Sequence, residues 1–523
     1  MEYNFTSPLV LYCSVILLPV LILVFLKPNK RPLTKLPPSP PGWPVFGHMF
    51  HLGTLPYVTM AKMKDKYGPV TWLKLGSVNT MVVQSADAAA ELYKNHDLSF
   101  SDRPIVETLT SHEFHKSTMI FSSHGPYWLR RKCVDDLLSW IGKEAETAMV
   151  KKRGIKIVDF VALANINVIA NILFSKDLVE PNSRVGRELF ESMTCFFSWG
   201  GEPNVSDYFT WLKPFDLQGL KRNMDRDMGK ALEIVSGYVK ERLEENQQGG
   251  KKQKKDLLDI LLDFEGNGTD EREKLSEHAI SVFLLEMFMA GAEATTSTIE
   301  WALAELLSKP RTLTEAKHEI LKIVGRNKRF EESDIDKLPF LQAIVKETLR
   351  MHPGGGFVPK KASKDTSFMG YDIPKSTNVM INIWAIGRDP EYWSDPSSFK
   401  PERFLDSIID YKGQYFDYIP FGSGSRICPG IPLAQRLVHL ILGSLIHEFD
   451  WELEDSFLLD MSEKMGLTLR KLEPLKAIPK KQAFKISGMQ AGASTQEVPV
   501  MCYNSNSTVF CPGFRAESPG GIH

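Results

Sequence analysis

Phe421-Gly422-Ser423-Gly424-Ser425-Arg426-Ile427-Cys428-Pro429-Gly430 is the stretch that decides the fold. Glycines on both sides of Cys428 let the backbone turn sharply and approach another group closely. Arg426 places a cation near the thiol, which favours thiolate. Pro432 to Leu442 continues as an apolar helix. A thiolate just before a helix start is stabilised by the dipole and by free amides, and the same amides can donate to the sulfur and tune it as a metal ligand. From residue types alone, Cys428 is a metal ligand, a nucleophile or an inert packed thiol.

The composition around this stretch is ordinary for a globular chain. It has 523 residues, 43% hydrophobic and 24% charged, which excludes collagen, a disulfide-dense miniature and wholesale disorder. With 63 basic and 64 acidic residues the net charge is −1, so bulk electrostatics hold no nucleic acid. Six cysteines without any Cys-x-x-Cys spacing point to a reducing compartment.

Leu9 to Leu26 carries no charge, and Lys27, Lys30, Arg31 and Lys35 follow it. As a helix it covers roughly 27 Å, enough for a thin bilayer. The basic residues behind it place the body on the cytoplasmic side and the N-terminus in the lumen. A cleaved signal peptide would want basic residues ahead of the run and small residues at its end, and neither is there. Residues 1–35 are therefore expected to be a membrane anchor with a basic stop. Residues 36–44, Leu36-Pro37-Pro38-Ser39-Pro40-Pro41-Gly42-Trp43-Pro44, are expected to be an extended, stiff hinge.

In the body, Thr71–Gly76 and Asn79–Val83 read as a hairpin around Gly76-Ser77, and Ala86–Lys94 as helix. Helical periodicity dominates from Ile157. Glu277 to Ser308 contains no proline and is stopped by Pro310; as one helix it would run roughly 50 Å and cross an entire domain. Strand signals recur at Phe357-Val358, Ser367–Met369 and Val379–Asn382. The fold class read here is mainly α with small β-sheets. Asn246–Lys255 is polar, glycine-bearing and basic, and reads as a surface loop. His112-Glu113-Phe114-His115 lacks the spacing of a zinc-protease motif and reads as loop histidines.

Two further motifs stand out. Glu347-Thr348-Leu349-Arg350 places both charges on one helix face, and Phe399-Lys400-Pro401-Glu402-Arg403-Phe404 lies beyond it. Ala290-Gly291-Ala292-Glu293-Ala294-Thr295-Thr296 sits inside the long helix, where small residues also serve close packing.

Together these strings resemble the cytochromes P-450. The cysteine loop is similar to that family's heme-binding signature at Phe421, Gly424, Arg426, Cys428 and Gly430. The resemblance implies a P-450 fold behind an N-terminal transmembrane helix, with residues 45–481 as the heme-thiolate catalytic domain. It implies heme b (iron protoporphyrin IX) with Cys428 as axial ligand, which favours O–O cleavage. Glu347, Arg350 and Arg403 would form a buried charge network. Glu293 and Thr295 would relay protons to oxygen beside Gly291, although Ala294 stands where the family has Thr, and Thr295 is turned roughly 100° further around the helix. The partners implied are an NADPH-cytochrome P-450 reductase, which passes on electrons from NADPH, membrane lipid and a small hydrophobic substrate. The location implied is the endoplasmic reticulum membrane. The chain looks most like plant microsomal members of the geraniol hydroxylase and iridoid oxidase group, as a terpenoid monooxygenase.

Three departures accompany the resemblance. After Gly125-Pro126-Tyr127-Trp128 the chain runs directly into Leu129-Arg130-Arg131-Lys132-Cys133. Something on the order of twenty residues, more than an average helix, is absent relative to the family pattern. In that pattern Trp128 would hold a heme propionate, and Arg130 or Arg131 stands near the family's arginine but out of register. Pro353-Gly354-Gly355-Gly356-Phe357 replaces bulky residues and is expected to make a looser pocket wall. Residues 482–523 are polar and expected to be disordered. The first and Ala294 motivate a rival reading, a catalytically impaired, membrane-tethered heme-binding or interaction protein. A heme-thiolate isomerase or dehydratase that works without a reductase is a third.

Overall fold

The computed structural model describes residues 35–104, 106–108, 110, 127–179, 184–248, 256–264, 274–454 and 459–481. The expected anchor (except Lys35), the His112–His115 stretch, most of the 246–255 loop and the 482–523 tail lie outside the described residues.

The centre is the helix Glu277–Ser308. Ser276 caps it, its side chain accepting from the Ala279 amide at 3.1 Å, and Pro310 opens the next helix. Its sequence is apolar on most sides, so it must be buried on most sides, and the rest of the domain is wrapped around it. Helix Ile157–Phe174 packs along it. Gly291 lets the two approach: a Cβ there would lie 2.8 Å from Ile169 Cδ1. On the other side lie helices Pro339–Met351 and Ile431–Glu448. The helices Arg184–Gly201 and Leu220–Gln247 pack on each other, and the second also meets the central helix.

The sheets are small. One has four strands in the order Val70–Leu75, Val78–Val83, Asn378–Ile381, Val358–Lys361. Its first pair is a hairpin turning at Gly76, whose φ of +57° is the left-handed region that glycine adopts without cost. Val78–Val83 pairs in parallel with Asn378–Ile381, almost three hundred residues later. A separate hairpin, Glu463–Met465 with Leu469–Lys471, leans on the central helix. The segment after the expected hinge start is not a free spacer: the Pro38 carbonyl accepts from the Trp72 amide at 2.8 Å.

The backbone of Trp128 belongs to helix Tyr127–Lys151; its side chain lies outside the described residues. From Cys133 on, that helix is firmly part of the core. Cys133, Val134, Leu137 and Ile141 are all fully buried against helices Ile157–Phe174 and Ile431–Glu448 and their surroundings.

Candidate active site

A cavity of about 390 Å³ lies between the cysteine loop and the central helix. Phe421, Arg426, Cys428 and Gly430 line one side. Met287, Ala290, Gly291, Ala294, Thr295 and Thr298 line the other. The i, i+3, i+4 spacing of that second set turns one stripe of the helix toward the thiol. Ala290 is exposed in the middle of a largely buried helix, so the space in front of it is open.

The loop's shape follows from its glycines. Gly422 and Gly424 have φ of +72° and +70°, conformations that cost an L side chain about 1–2 kcal/mol. A Cβ at Gly424 would also lie 2.9 Å from the Asp97 carboxylate. Asp97 accepts from the Ser425 amide at 2.8 Å and from Lys360 Nζ at 2.6 Å. Burial works against the Asp97 charge, but Lys360 and Ser425 hold its carboxyl below the usual range. The Cys428 amide donates to the Phe421 carbonyl at 3.1 Å and closes the loop.

Burial pushes the Cys428 thiol up, and the amides of Gly430 and Ile431 pull it down. Helix Ile431–Glu448 begins there, so the sulfur faces that helix's free amides. Arg426 is exposed, and the sulfur's stabilisation comes from these amides rather than from its guanidinium. Arg426 serves the cavity edge instead, together with Arg103. Arg103 donates to the Pro359 carbonyl and, at 3.5 Å, to the Arg426 carbonyl. Burial and the neighbouring Arg426 charge lower the pKa of Arg103, a strain that an anion between the two guanidinium groups would relieve.

Glu347, Arg350 and Arg403 meet in one network. Arg350 donates to both carboxylate oxygens of Glu347, at 2.7 and 2.8 Å. Arg403 Nε adds a third bond at 3.0 Å and the Lys400 amide a fourth at 2.8 Å. Arg350 also donates to the carbonyls of Gly387 (2.6 Å) and Pro396 (2.8 Å). Glu347 and Arg350 are fully buried in side chain. The network clamps the chain around Pro396–Arg403 onto helix Pro339–Met351.

The two acid–alcohol candidates part company. Thr295 is on the cavity wall and nearly buried, because one turn separates it from Gly291. Glu293 does not line the cavity. Its carboxylate pairs with Arg470 and accepts from the Thr468 hydroxyl at 3.2 Å, on the Glu463–Lys471 hairpin. Burial raises its pKa while Arg470 and Thr468 lower it.

Arg103, Asp97 and Lys360 were not singled out from sequence. Asp97 and Arg103 lie more than three hundred residues before Cys428 and Lys360 on a separate strand, and the only signal was Arg103 in the string Phe100-Ser101-Asp102-Arg103-Pro104.

The donor set fits a heme. One half-buried sulfur, reached by backbone amides, faces a slot walled by Gly291, Ala294 and Gly354, whose side chains are absent or minimal. Two guanidinium groups at its rim suit the two carboxylates of the ring.

The family model described as "Cytochrome P-450" matches residues 37–133 and 129–475, two pieces that overlap at 129–133. Cytochrome P-450 76A2 of Solanum melongena is 49% identical over 499 residues, covering 90% of this chain and 98% of that protein. Iridoid oxidase of Catharanthus roseus is 43% identical (88% and 95% covered) and geraniol 8-hydroxylase of the same plant 36% (86% and 94% covered). Among solved structures, a zebra fish cytochrome P-450 with progesterone superposes with a TM-score of 0.64 at 25% identity, covering 81% of this chain and 99% of that one. With the cysteine loop, the central helix and the Glu347 network in place, the chain belongs to the cytochrome P-450 family and is a monooxygenase of it, close to the plant group of iridoid oxidase and geraniol hydroxylase.

Proposed function

We propose that this chain hydroxylates a small hydrophobic terpenoid, a monoterpene alcohol or an iridoid, with O2 and electrons passed from NADPH by an NADPH-cytochrome P-450 reductase. The observation that carries it is Cys428 facing the small-residue stripe of the central helix across one apolar cavity. Terpenoid chemistry is supported by the names of the relatives, iridoid oxidase and geraniol 8-hydroxylase. Ile169, Ile172, Leu173, Met287 and Leu349 supply an apolar lining suited to such a skeleton.

Heme b, when bound, supplies the activation of oxygen and the insertion of one of its atoms into a C–H bond. Cys428 would hold the iron, and the amides of Gly430 and Ile431 would tune the sulfur. Arg103 and Arg426 would hold the carboxylates, a role the family pattern gives also to Trp128. The chain's own residues do the rest. The apolar wall orients substrate and excludes water. Thr295 holds a proton donor on the cavity wall; Glu293, paired with Arg470, stands one step behind it.

The chain works at the endoplasmic reticulum membrane, on the cytosolic side. Beyond the apolar run at Leu9–Leu26, support comes from a surface of exposed apolar side chains beside the hinge. Trp43, Phe46, Phe50, Trp211, Phe215 and Leu217 are all solvent-facing, and Phe46 touches Phe209 with ring centroids 6.0 Å apart. Such a patch suits lipid contact.

The rival, a catalytically impaired heme-binding or interaction protein, is favoured by one observation: the family model breaks where the sequence lacks residues after Trp128. A reduced, carbon monoxide-bound difference spectrum separates the two. A thiolate-type Soret band that disappears in Cys428→Ser, with NADPH- and reductase-dependent hydroxylation of geraniol, supports the monooxygenase. A chain that takes up no heme overturns it. Turnover without NADPH identifies an isomerase or dehydratase.

A further inference from the structure

His352 directly follows helix Pro339–Met351 and precedes the glycine run of the cavity wall by one proline. Its ring is buried and stacks on Trp301 of the central helix, with centroids 3.9 Å apart and planes within 2°. Nε2 lies 2.9 Å from Glu305 Oε1, and Nδ1 lies 3.2 Å from Glu463 Oε1. Despite burial, both carboxyls are held below the usual carboxylate range, with His352 first among the groups that lower them.

Other charges converge on the same pair. Lys309 Nζ is 2.7 Å from Glu305. Glu463 also accepts from Tyr57 Oη at 2.8 Å and Trp384 Nε1 at 3.1 Å, and Arg388 stands 3.7 Å away. Lys471 Nζ lies 4.7 Å from the centre of the Trp301 ring. These elements also hold the wall itself. The Leu469 amide donates to the Gly354 carbonyl at 3.1 Å and the Trp384 amide to the Gly356 carbonyl at 3.4 Å. The Tyr57 ring lies so close that a Cβ on Gly356 would meet it at 2.9 Å. Three glycines in succession would otherwise be the least constrained part of the cavity.

We propose that His352 is a positioning residue whose two ring nitrogens bridge Glu305 of the central helix and Glu463 of the hairpin, and so fix the Gly354–Phe357 wall of the substrate cavity. The proposal rests on the reading of that cavity as the substrate pocket, and it deepens it: the selectivity of the pocket depends on an ion network outside it.

The test compares two ligands of the heme-loaded protein, imidazole and phenylimidazole, by spectral titration. Imidazole is too small to sense the wall; phenylimidazole fills the space beside it. In His352→Gln the phenylimidazole Kd rises about tenfold while that of imidazole stays within about twofold, the size of one or two buried charged hydrogen bonds. An unchanged ratio of the two constants overturns the proposal. Should His352→Gln take up no heme, Tyr57→Phe and Glu463→Gln give the answer: a ratio shifted in the same direction supports the clamp, and an unshifted ratio in both overturns it. If wild type binds phenylimidazole with this dependence but takes no geraniol, the clamp stands and the terpenoid assignment falls.

Discussion

Replacing Glu347 by glutamine tests the ion network at its centre. The carboxylate receives two bonds from Arg350, one from Arg403 and one from the Lys400 amide, and its side chain is fully buried. Glutamine keeps the shape but removes the charge and turns an NH2 toward guanidinium donors. Two cations then remain with no counter-charge, one of them, Arg350, entirely out of water. Breaking a buried pair in this way costs about 3–5 kcal/mol. In a domain of this size unfolding entropy spreads ~1 kcal/mol over each degree, so the thermal midpoint should fall by about 3–5 °C. The assay is thermal unfolding at one fixed scan rate, followed by heme released from the loaded protein. Arg403→Ala provides the internal comparison, because its side chain is partly exposed; about 1–2 kcal/mol is expected there. A Glu347→Gln midpoint within one degree of wild type, or a larger loss in Arg403→Ala than in Glu347→Gln, would refute the reasoning.

Further outcomes follow from other sites. Gly424→Ala meets both a left-handed backbone and the Asp97 carboxylate, so the heme-to-protein ratio after purification should drop severalfold; an unchanged ratio counts against the loop geometry. Burial raises the Glu286 pKa to about 7, and its Oε2 has no hydrogen-bond partner among the described residues. The folded chain therefore keeps that proton in a range where the unfolded chain has lost it, and stability falls as pH rises from about 4.5 to about 7. Glu286→Gln should then be more stable than wild type by about 3 kcal/mol at pH above that window, and the gain should vanish below it; denaturant midpoints across pH check this. Thr295→Val should uncouple NADPH consumption from product, releasing peroxide, whereas Glu293→Gln should do so less because its carboxylate faces Arg470; equal uncoupling would place Glu293 in the proton path after all. Lipids brominated along the acyl chain should quench the fluorescence of membrane-bound protein through Trp43 and Trp211, and Trp211→Phe should reduce that quenching.

What the sequence disclosed was local. The cysteine loop, the central helix and the Glu347–Arg350 spacing are each set by residues within a turn or two, so pattern alone located them. Phase around a helix was legible, but neighbours were not. Glu293 and Thr295 looked like one functional pair in the string, yet the Glu463–Lys471 hairpin claims the first and the cavity the second. The glycine run Gly354–Gly356 read as slack, because nothing nearby in sequence reveals Tyr57, Trp384 or Leu469 standing against it. Arg103, Asp97 and Lys360 escaped notice for the same reason. Of the two stabilisers of the thiol read from the sequence, the amides at the following helix start reach the sulfur, and Arg426 lies exposed at the cavity edge.

The support beneath the cysteine loop has a consequence for biogenesis. Asp97 must grip both Lys360 and the Ser425 amide, and these emerge from the ribosome at widely separated times. No partial chain can finish the seat for the sulfur. Capture of the pigment is thus a late event, and chains that stop short of Ser425 lack both that seat and the core helix Ile431–Glu448 that follows it.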